Sequence, residues 1–292
     1  MVKYKKLTEE CIAWIRDWFD VNGPQSPAVI GISGGKDSTI VAKLCVEALG
    51  ADRVIGVTIP GEDQDTVDAE KVAKLLGIKL LTVPIEDIAF VINDSCIRSM
   101  SRYQKEIEEA PYFINFGEGS MKRAQQNLPP RLRMCVLYFI SQLFDGRVVG
   151  TCNLSEDYVG YFTIHGDGAS DMEPLGKLTV TEVRGIGDEL GLPKELVWKT
   201  PDDGLPHSKP DEEKFGFSYE HLDEFIRTGG FILAEGETRP DVDKIRRMHT
   251  ESQFKRDMVR TPKFRPSNEV LHYAKCDGTE ENLYGSEEET IF

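Results

Sequence analysis

The chain has 292 residues, of which 40% are hydrophobic, and it carries a formal net charge of −15. This length and composition suit one large domain or at most two. The acidic balance argues against sequence-independent binding along nucleic acid, which requires a basic surface. No apolar stretch is long enough to cross a membrane. From the charge and the hydropathy together, we expect neither nucleic acid nor a membrane among the partners.

The amino-terminal segment predicts an amphipathic helix rather than a signal peptide. Apolar residues from Leu7 to Phe19 recur on one helical face, and acidic residues at Glu9, Glu10 and Asp17 interrupt the apolar part. The six cysteines form no CxxC pair, and most lie in apolar segments. This pattern favours small buried side chains in a reducing compartment over disulfides or a zinc site. We therefore expect a cytoplasmic protein.

Strand-like and helix-like segments alternate along the first half of the chain. The strand runs lie at 28–33, 53–60, 79–85 and 147–151, and the helical patterns at 37–49, 65–76, 86 to about 108 and 130–145. Such alternation predicts a parallel sheet with crossover helices, and nearly continuous apolar strands predict a sheet covered on both faces. We predict an α/β fold with an open, mostly parallel five-stranded sheet and a site at the carboxyl ends of its strands.

The second half of the chain has a different character. Glycine, aspartate and proline are frequent between 160 and 220, around a helix predicted at about 179–191. Loops of this length inside a compact domain are commonly functional, and this one is also rich in aromatic residues. The segment 267–292 is strongly acidic, and we expect it to be a solvated extension of a single domain that covers 1–266.

The sequence GISGGKDS, residues 31–38, lies between the first predicted strand and its helix. Gly34 and Gly35 allow backbone N–H groups to converge on an anion, and the following helix directs its positive end to the same place. The loop serines add hydroxyl donors, whereas Asp37 fits among phosphates mainly as a ligand of Mg²⁺. The spacing matches neither Walker A nor GxGxxG, and a glycine pair before a helix can also be only a tight connection.

The string SGGKDS resembles the pyrophosphate-binding loop of the N-type ATP pyrophosphatases. Four further segments resemble, in order, blocks of ammonia-dependent NAD synthetases: PGEDQDTVDAEKVAKLLGI (60–78), NLPPRLRM (127–134), GTCNLSEDYVGYFTIHGDGASDMEPL (150–175) and DEEKFGFSYEHLDEFI (211–226). The resemblance extends from about residue 5 to about residue 266. Other branches fit less well: deazaguanine synthases would carry a cysteine zinc cluster, tRNA-thiolating enzymes paired catalytic cysteines, and GMP synthetase a different dimerisation domain.

The resemblance implies an adenine nucleotide alpha hydrolase-like fold and an ATP-dependent ligase. Its reaction would convert deamido-NAD and ammonia to NAD, AMP and pyrophosphate through an adenylated nicotinate. The family works as a homodimer with the dinucleotide site across the interface. The chain shows no nitrilase-type glutaminase domain, so ammonia would be free or supplied by a separate glutaminase. Two alternatives stay open: another ATP-dependent amidoligase, and a nucleotide-binding homologue that has lost catalysis.

The same resemblance implies roles for individual residues. ATP would contact Gly31, Ile32, Ser33, Gly34, Gly35, Lys36, Asp37, Ser38, Gln64 and Thr151. Mg²⁺ would be held by Asp37 and Glu156, and deamido-NAD by Arg131, Asp171 and Lys255. Catalysis would depend on Asp37, Lys36 and Lys177. Plainer roles are open for three of them: a surface arginine for Arg131, a helix cap for Glu156 and an ordinary loop carboxylate for Asp171.

The chain also departs from the family pattern. Lysines that contact the dinucleotide and ATP are replaced by Ile164 and Val180, a threonine by Asp202, and a histidine by Phe254. Lys177, three positions before Val180, is the predicted substitute for the missing ATP cation, since a lysine side chain could span that offset. Lys209 and Arg256 are further candidates for compensation.

Overall fold

The protein is described by a computed structural model over residues 2–62, 64–103, 105, 109, 118–199, 211–230, 241–258 and 261–267. The strands in this part of the chain are β1 (Ala28–Gly31), β2 (Val54–Thr58), β3 (Lys79–Thr82) and β4 (Arg147–Val148). They form one sheet in the order β3-β2-β1-β4, and every pairing is parallel. The predicted parallel α/β architecture is confirmed.

The described residues form four strands, not the predicted five. Beyond β4 the chain makes only isolated parallel bridges, Val149 with Met172 and Glu173 with Lys263. The Asp171 carboxylate accepts the Val148 N–H at 2.7 Å. A side chain therefore takes a donor that a fifth strand would use, and the regular ladder ends there.

Helices connect and cover the strands. The first half contains α1 (Val2–Asn22), α2 (Lys36–Leu49), a 3₁₀ turn (Ala51–Arg53), α3 (Val67–Leu76), α4 (Glu86–Ser101) and α5 (Glu118–Leu143). The second half contains α6 (Leu154–Val159), α7 (Val180–Glu189), α8 (Lys194–Val197), α9 (Asp211–Phe215), α10 (Tyr219–Thr228), α11 (Val242–Glu251) and α12 (Gln253–Met258).

Two of the predicted helices have different bounds in the structure. The helix predicted at 130–145 begins earlier, at Glu118, and contains Pro129 and Pro130 in its interior. The helix predicted to continue from 86 to about 108 ends at Ser101 as α4.

Two apolar layers cover the sheet, in which β1 and β2 are mostly buried and the edge strand β3 is partly exposed. On one face, α1 contributes Leu7, Cys11, Ile15 and Phe19 to a core shared with α2, α7 and β1, and all four of these side chains are fully buried. This confirms the predicted amphipathic amino-terminal helix. Burial of each large apolar side chain is worth about 1.5–3 kcal/mol. On the other face, α5 packs over Val29 and the neighbouring strand residues.

A third apolar cluster joins the helices of the second half, outside the sheet layers. It consists of Val159, Val180, Phe215, Phe217, Tyr219, Leu222, Phe225, Ile226 and Ile245. Val180 is completely buried in it. The position at which the resemblance implies a missing ATP-contacting lysine is therefore an apolar packing site in this chain.

The cysteines divide between core and surface. Cys11, Cys45 and Cys152 are buried thiols, as predicted, whereas Cys96 on α4 and Cys135 on α5 are exposed, against the prediction. In the described part of the chain, no helix is long and apolar enough to cross a membrane. The predicted acidic extension lies outside the described residues except for Ser267.

Candidate functional site

The sheet topology creates a crevice beside β1. From β1 the chain crosses to β2 on one side, and it later returns to β4 on the other side. The loops that leave the carboxyl ends of β1 and β4 therefore diverge, which is where open α/β sheets bind ligands. The predicted phosphate loop follows β1, and the 150–153 segment follows β4.

Gly34 is required by the backbone of the first loop. Its φ is +78°, and a Cβ at this position would lie 2.4 Å from the Cβ of Asp68. A side chain would meet both the strain of a left-handed conformation and a clash with α3. Two positions before Gly34, Ile32 is tied to the sheet because its N–H donates to the Val57 carbonyl at 2.8 Å.

The loop serines fix the turn from within. The Oγ atoms of Ser33 and Ser38 lie 3.1 Å apart, and Ser33 Oγ accepts the Gly35 N–H at 3.2 Å. Ser38 Oγ in turn donates to the Gly35 carbonyl at 3.1 Å. The turn leads directly into the amino terminus of α2 at Lys36. Because the first N–H groups of a helix have no partners within that helix, this geometry suits a bound phosphate.

The Lys36 side chain turns into the protein and is 4% exposed. Its Nζ lies 2.6 Å from Asp37 Oδ2 and 5.9 Å from the centroid of the Tyr219 ring. Burial acts to lower the pKa of the Lys36 ammonium, but the nearby carboxylates of Asp37 and Glu156 outweigh it and raise that pKa. A buried cation therefore stands at the phosphate loop.

The first turn of α6 lies against Asp37. Asn153 caps this helix: its side chain accepts the Glu156 N–H at 3.1 Å, and its own N–H donates to Glu156 Oε2 at 3.4 Å. The Asn153 amide also donates to Asp37 Oδ1 at 3.3 Å. Glu156 thus serves as a helix cap, the plainer role that the sequence left open, while it also faces Asp37.

Asp37 and Glu156 form a carboxylate pair that fits a divalent cation. The pKa of Glu156 is raised well above its usual value, first by burial and then by the charge of Asp37. A bound cation would relieve this repulsion. Within the described ranges, no group of three or more His, Cys, Asp or Glu side chains surrounds the pair. Two carboxylates still fit Mg²⁺, which is commonly held by one or two carboxylates together with substrate phosphates.

A second arginine of the NLPPRLRM segment reaches the site, where the sequence singled out Arg131. Arg133 donates from Nη2 to Gln64 Oε1 at 2.7 Å and from Nε to the Ile59 carbonyl at 3.1 Å. Gln64 Oε1 also accepts the Gly61 N–H at 2.9 Å. Residues two apart on a helix point in nearly opposite directions, so helical periodicity could have separated the inward Arg133 from the outward Arg131.

The three residues predicted to contact the dinucleotide form hydrogen bonds with other groups of the protein. Arg131 is exposed and donates from Nε to the Ile164 carbonyl at 3.3 Å. Asp171 accepts from Val148 N–H and, at 3.3 Å, from the Tyr138 hydroxyl. Lys255 Nζ donates to the carbonyls of Gly160 and Phe162, each at 2.7 Å. Their contact with deamido-NAD stays a prediction.

Lys177 has different neighbours from Lys36. Burial lowers the pKa of its ammonium, and the nearby cations Lys263, Arg265 and Arg227 lower it further. Lys263 itself pairs with Asp157. The structure therefore brings Lys36 to the carboxylate pair and places Lys177 in a separate basic cluster, so the ATP role of Lys177 stays a prediction.

The remaining candidates lie in different parts of the chain. Arg256 donates from Nη1 to the carbonyls of Asp157 and Tyr158, at the end of α6. Thr151 follows β4, on the side of the crevice opposite the glycine loop. Asp202 and Lys209 lie outside the described residues, and Phe254 is exposed.

A glycine loop at the switch point of a parallel sheet, beside a carboxylate pair, is typical of α/β proteins that bind nucleotide phosphates. The sequence profile of NAD synthase matches residues 7–259. The chain therefore belongs to the NAD synthase family, in agreement with the resemblance found in its motifs.

Several known proteins are similar to this chain in sequence or structure over nearly its full length. The NH(3)-dependent NAD(+) synthetase of Archaeoglobus fulgidus is 36% identical over 264 residues, which cover 88% of this chain and 96% of the relative. That of Carboxydothermus hydrogenoformans is 32% identical, with coverage of 89% and 98%. The solved NMN synthetase of Francisella tularensis has a TM-score of 0.70 and 29% identity, with coverage of 89% and 99%. The NH3-dependent NAD synthetase of Campylobacter jejuni has a TM-score of 0.58 and 25% identity, with coverage of 90% and 99%.

Proposed function

We propose that this chain is an AMP-forming ligase that amidates deamido-NAD with ammonia and ATP to give NAD. The observation that carries the proposal is the grouping of Lys36, Asp37 and Glu156 beside the glycine loop. Membership of the NAD synthase family supports the choice of substrate. A cytoplasmic location and a separate glutaminase as ammonia source belong to the same proposal.

The proposed chemistry has two steps. An oxygen of the nicotinate carboxylate attacks the α-phosphorus of ATP, the bond from that phosphorus to the bridging oxygen breaks, and pyrophosphate leaves. The ammonia nitrogen then attacks the acyl carbon of the adenylate, AMP leaves, and a proton is lost to solvent. The protein needs no covalent participation, because positioning and charge stabilisation carry such reactions.

The residues of the site match these requirements. Backbone N–H groups of the glycine loop and the start of α2 would receive phosphate oxygens. The Lys36 ammonium would stabilise the charge that develops on departing pyrophosphate. Asp37 and Glu156 would hold Mg²⁺, which when bound neutralises phosphate charge.

A steady-state assay tests the proposal against its alternatives. We expect release of AMP and pyrophosphate to require deamido-NAD and ammonia together, with one NAD formed per AMP. AMP formation that ignores deamido-NAD but follows another carboxylate would instead establish a different amidoligase. Binding of ATP with no AMP under any of these conditions would establish a homologue without catalysis.

A second candidate substrate is nicotinate mononucleotide. It is favoured by the structural similarity to the Francisella tularensis NMN synthetase, with a TM-score of 0.70 against 0.58 for the Campylobacter jejuni NAD synthetase. Both substrates present the same nicotinate carboxylate, so the chemistry is unchanged. The ratio of kcat/KM for the dinucleotide and the mononucleotide decides between them, and we expect the dinucleotide to be preferred.

Arg131→Ala is expected to raise the KM for deamido-NAD far more than the KM for ATP. Loss of a charge-assisted pair whose partner stays buried typically costs about 2–4 kcal/mol. Arg131 is exposed, with one bond to the Ile164 carbonyl, so its removal should leave the fold unchanged. Initial rates with each substrate varied in turn provide the measurement, and equal effects on both KM values would contradict the role.

We further propose a homodimer formed through α4 and α5. These helices pack against each other and expose several large apolar side chains: Ile88, Phe90, Val91, Phe139 and Leu143. Exposed apolar surface of this kind marks interaction sites. A second copy of the chain is the occupant that the family implies, and it would bring the dinucleotide site to the interface.

Phe139→Glu is expected to convert the dimer to monomers in sedimentation velocity and to raise the KM for deamido-NAD. Phe139 is 66% exposed, so a charge there should disturb association more than folding. Val21→Glu is the matched control, because Val21 is 80% exposed on α1. A dimer that persists in Phe139→Glu would contradict this interface.

A further inference from the structure

A buried carboxylate outside the phosphate loop joins three helices. Asp223 on α10 is 4% exposed and accepts hydrogen bonds from the Ser155 hydroxyl and, at 2.6 Å, from the Thr181 N–H. Ser155 on α6 is completely buried, and its Oγ accepts the Val180 N–H at 3.0 Å. Two N–H groups at the start of α7 are therefore satisfied by side chains of α6 and α10.

These hydrogen bonds hold the turn that carries the proposed metal ligand. Ser155 lies between Asn153 and Glu156 in the first turn of α6, and both of these residues face Asp37. The turn is thus held from the site side by the Asn153–Asp37 hydrogen bond and from the interior by the Ser155–Asp223 hydrogen bond. Its orientation sets where the Glu156 carboxylate lies relative to Asp37.

We propose that Asp223, acting through Ser155, is a positioning residue that fixes Glu156 and Asn153 opposite Asp37. Asp223 is not a catalytic residue, because its contacts are with Ser155 and the start of α7. The inference rests on the proposed role of Glu156 as a ligand of Mg²⁺. Groups behind a metal ligand typically change metal affinity by about 10- to 100-fold when they are removed.

Ser155→Ala tests whether Ser155 connects Asp223 to the position of Glu156, and Ser141→Ala is its control. Ser141 is 1% exposed on α5 and donates to the Gly146 carbonyl at 3.0 Å. Both substitutions remove one buried hydroxyl that donates one hydrogen bond. The Ser155 hydroxyl also accepts the Val180 N–H, so Ser155→Ala should lower the melting temperature at least as much as Ser141→Ala. Only Ser155 lies beside Glu156, so only Ser155→Ala should change the metal site.

The readout is binding of Mn²⁺ rather than turnover. EPR of unbound Mn²⁺ gives its affinity for the complex of protein with α,β-methylene-ATP, corrected for Mn²⁺ bound by the analogue alone. We expect Ser155→Ala to weaken this affinity about 10-fold and Ser141→Ala to leave it unchanged. Asp223→Asn should weaken it less, since an amide can accept from Thr181 and donate to Ser155, and it serves if Ser155→Ala does not fold.

Glu156→Gln distinguishes the positioning role of Asp223 from the metal-binding role of Glu156 on which it rests. We expect this variant to weaken Mn²⁺ binding at least as much as Ser155→Ala. Unchanged affinity in Glu156→Gln would overturn the metal role itself, and the positioning role with it. If Glu156→Gln weakens binding but Ser155→Ala and Asp223→Asn bind as wild type, or if Ser141→Ala weakens it equally, the positioning role alone is overturned.

Discussion

Asp37→Asn is expected to lower turnover of deamido-NAD by about 10³-fold or more while the fold is retained. Removal of one group that stabilises transition-state charge typically costs about 10²–10³-fold, and Asp37 has two such tasks, since it would hold Mg²⁺ and it pairs with Lys36. The asparagine keeps the size of the side chain and one oxygen acceptor. The Asp37 side chain is only 19% exposed, and because asparagine has nearly the same volume, the packing around it should change little.

The measurement is kcat at saturating ATP, deamido-NAD, ammonia and Mg²⁺, with circular dichroism as the check on folding. Asp52→Asn serves as the control, because Asp52 is an exposed carboxylate in the turn that precedes β2, at the opposite end of the sheet. A turnover near the wild-type value in Asp37→Asn would remove Asp37 from the mechanism. If a higher Mg²⁺ concentration restores the turnover of Asp37→Asn, the variant impairs binding of the metal more than the chemistry.

The phosphate loop could be predicted because its determinants are local. An apolar strand, a pair of glycines and a helix follow one another within residues 28–49, and the positive φ of Gly34 is a property of its own backbone. The parallel sheet was predictable for a similar reason, since alternation of strand and helix along the chain dictates parallel pairing. These features needed no knowledge of distant contacts.

The rest of the site depends on contacts between distant segments, which sequence patterns do not show. Val180 is buried by Tyr219 and its neighbours in the third apolar cluster, and Asp223 reaches Ser155 from 68 positions away. Asp171 satisfies the Val148 N–H, which ended the sheet at four strands in the described part of the chain. In each case the burial or the hydrogen bonding of a side chain is determined by a partner that is close only after folding.

The inward direction of Lys36 is another such case, and it changes which lysine should matter most. The sequence favoured Lys177 as the substitute for the cation missing at Val180. In the structure, Lys36 lies beside Asp37 and its Nζ is 5.9 Å from the centroid of the Tyr219 ring, in the cluster that also buries Val180. Its ammonium therefore approaches the region of position 180 from α2, whereas Lys177 lies with Lys263 and Arg227.

Lys36→Met is accordingly expected to lower turnover at saturating ATP by about 10²-fold, as loss of one transition-state donor typically does. Removal of the ammonium also frees an oxygen of Asp37 that it occupies at 2.6 Å, so the concentration of Mg²⁺ needed for half-maximal rate should stay equal or fall. A lower kcat without weaker Mg²⁺ dependence is a combination that general damage to the site would not produce. Steady-state rates over a Mg²⁺ titration measure both quantities.

Lys177→Met, measured in parallel, decides between the two lysines. If Lys177 reaches the phosphates as the sequence suggested, its loss should also cost about 10²-fold. Its basic neighbours oppose its charge, so a role confined to that cluster predicts turnover close to wild type and an equal or slightly higher melting temperature. Equal losses in both variants would mean that both cations serve the departing pyrophosphate. A loss in Lys177→Met alone would transfer the role from Lys36 to Lys177, and the buried Lys36–Asp37 pair would then be structural.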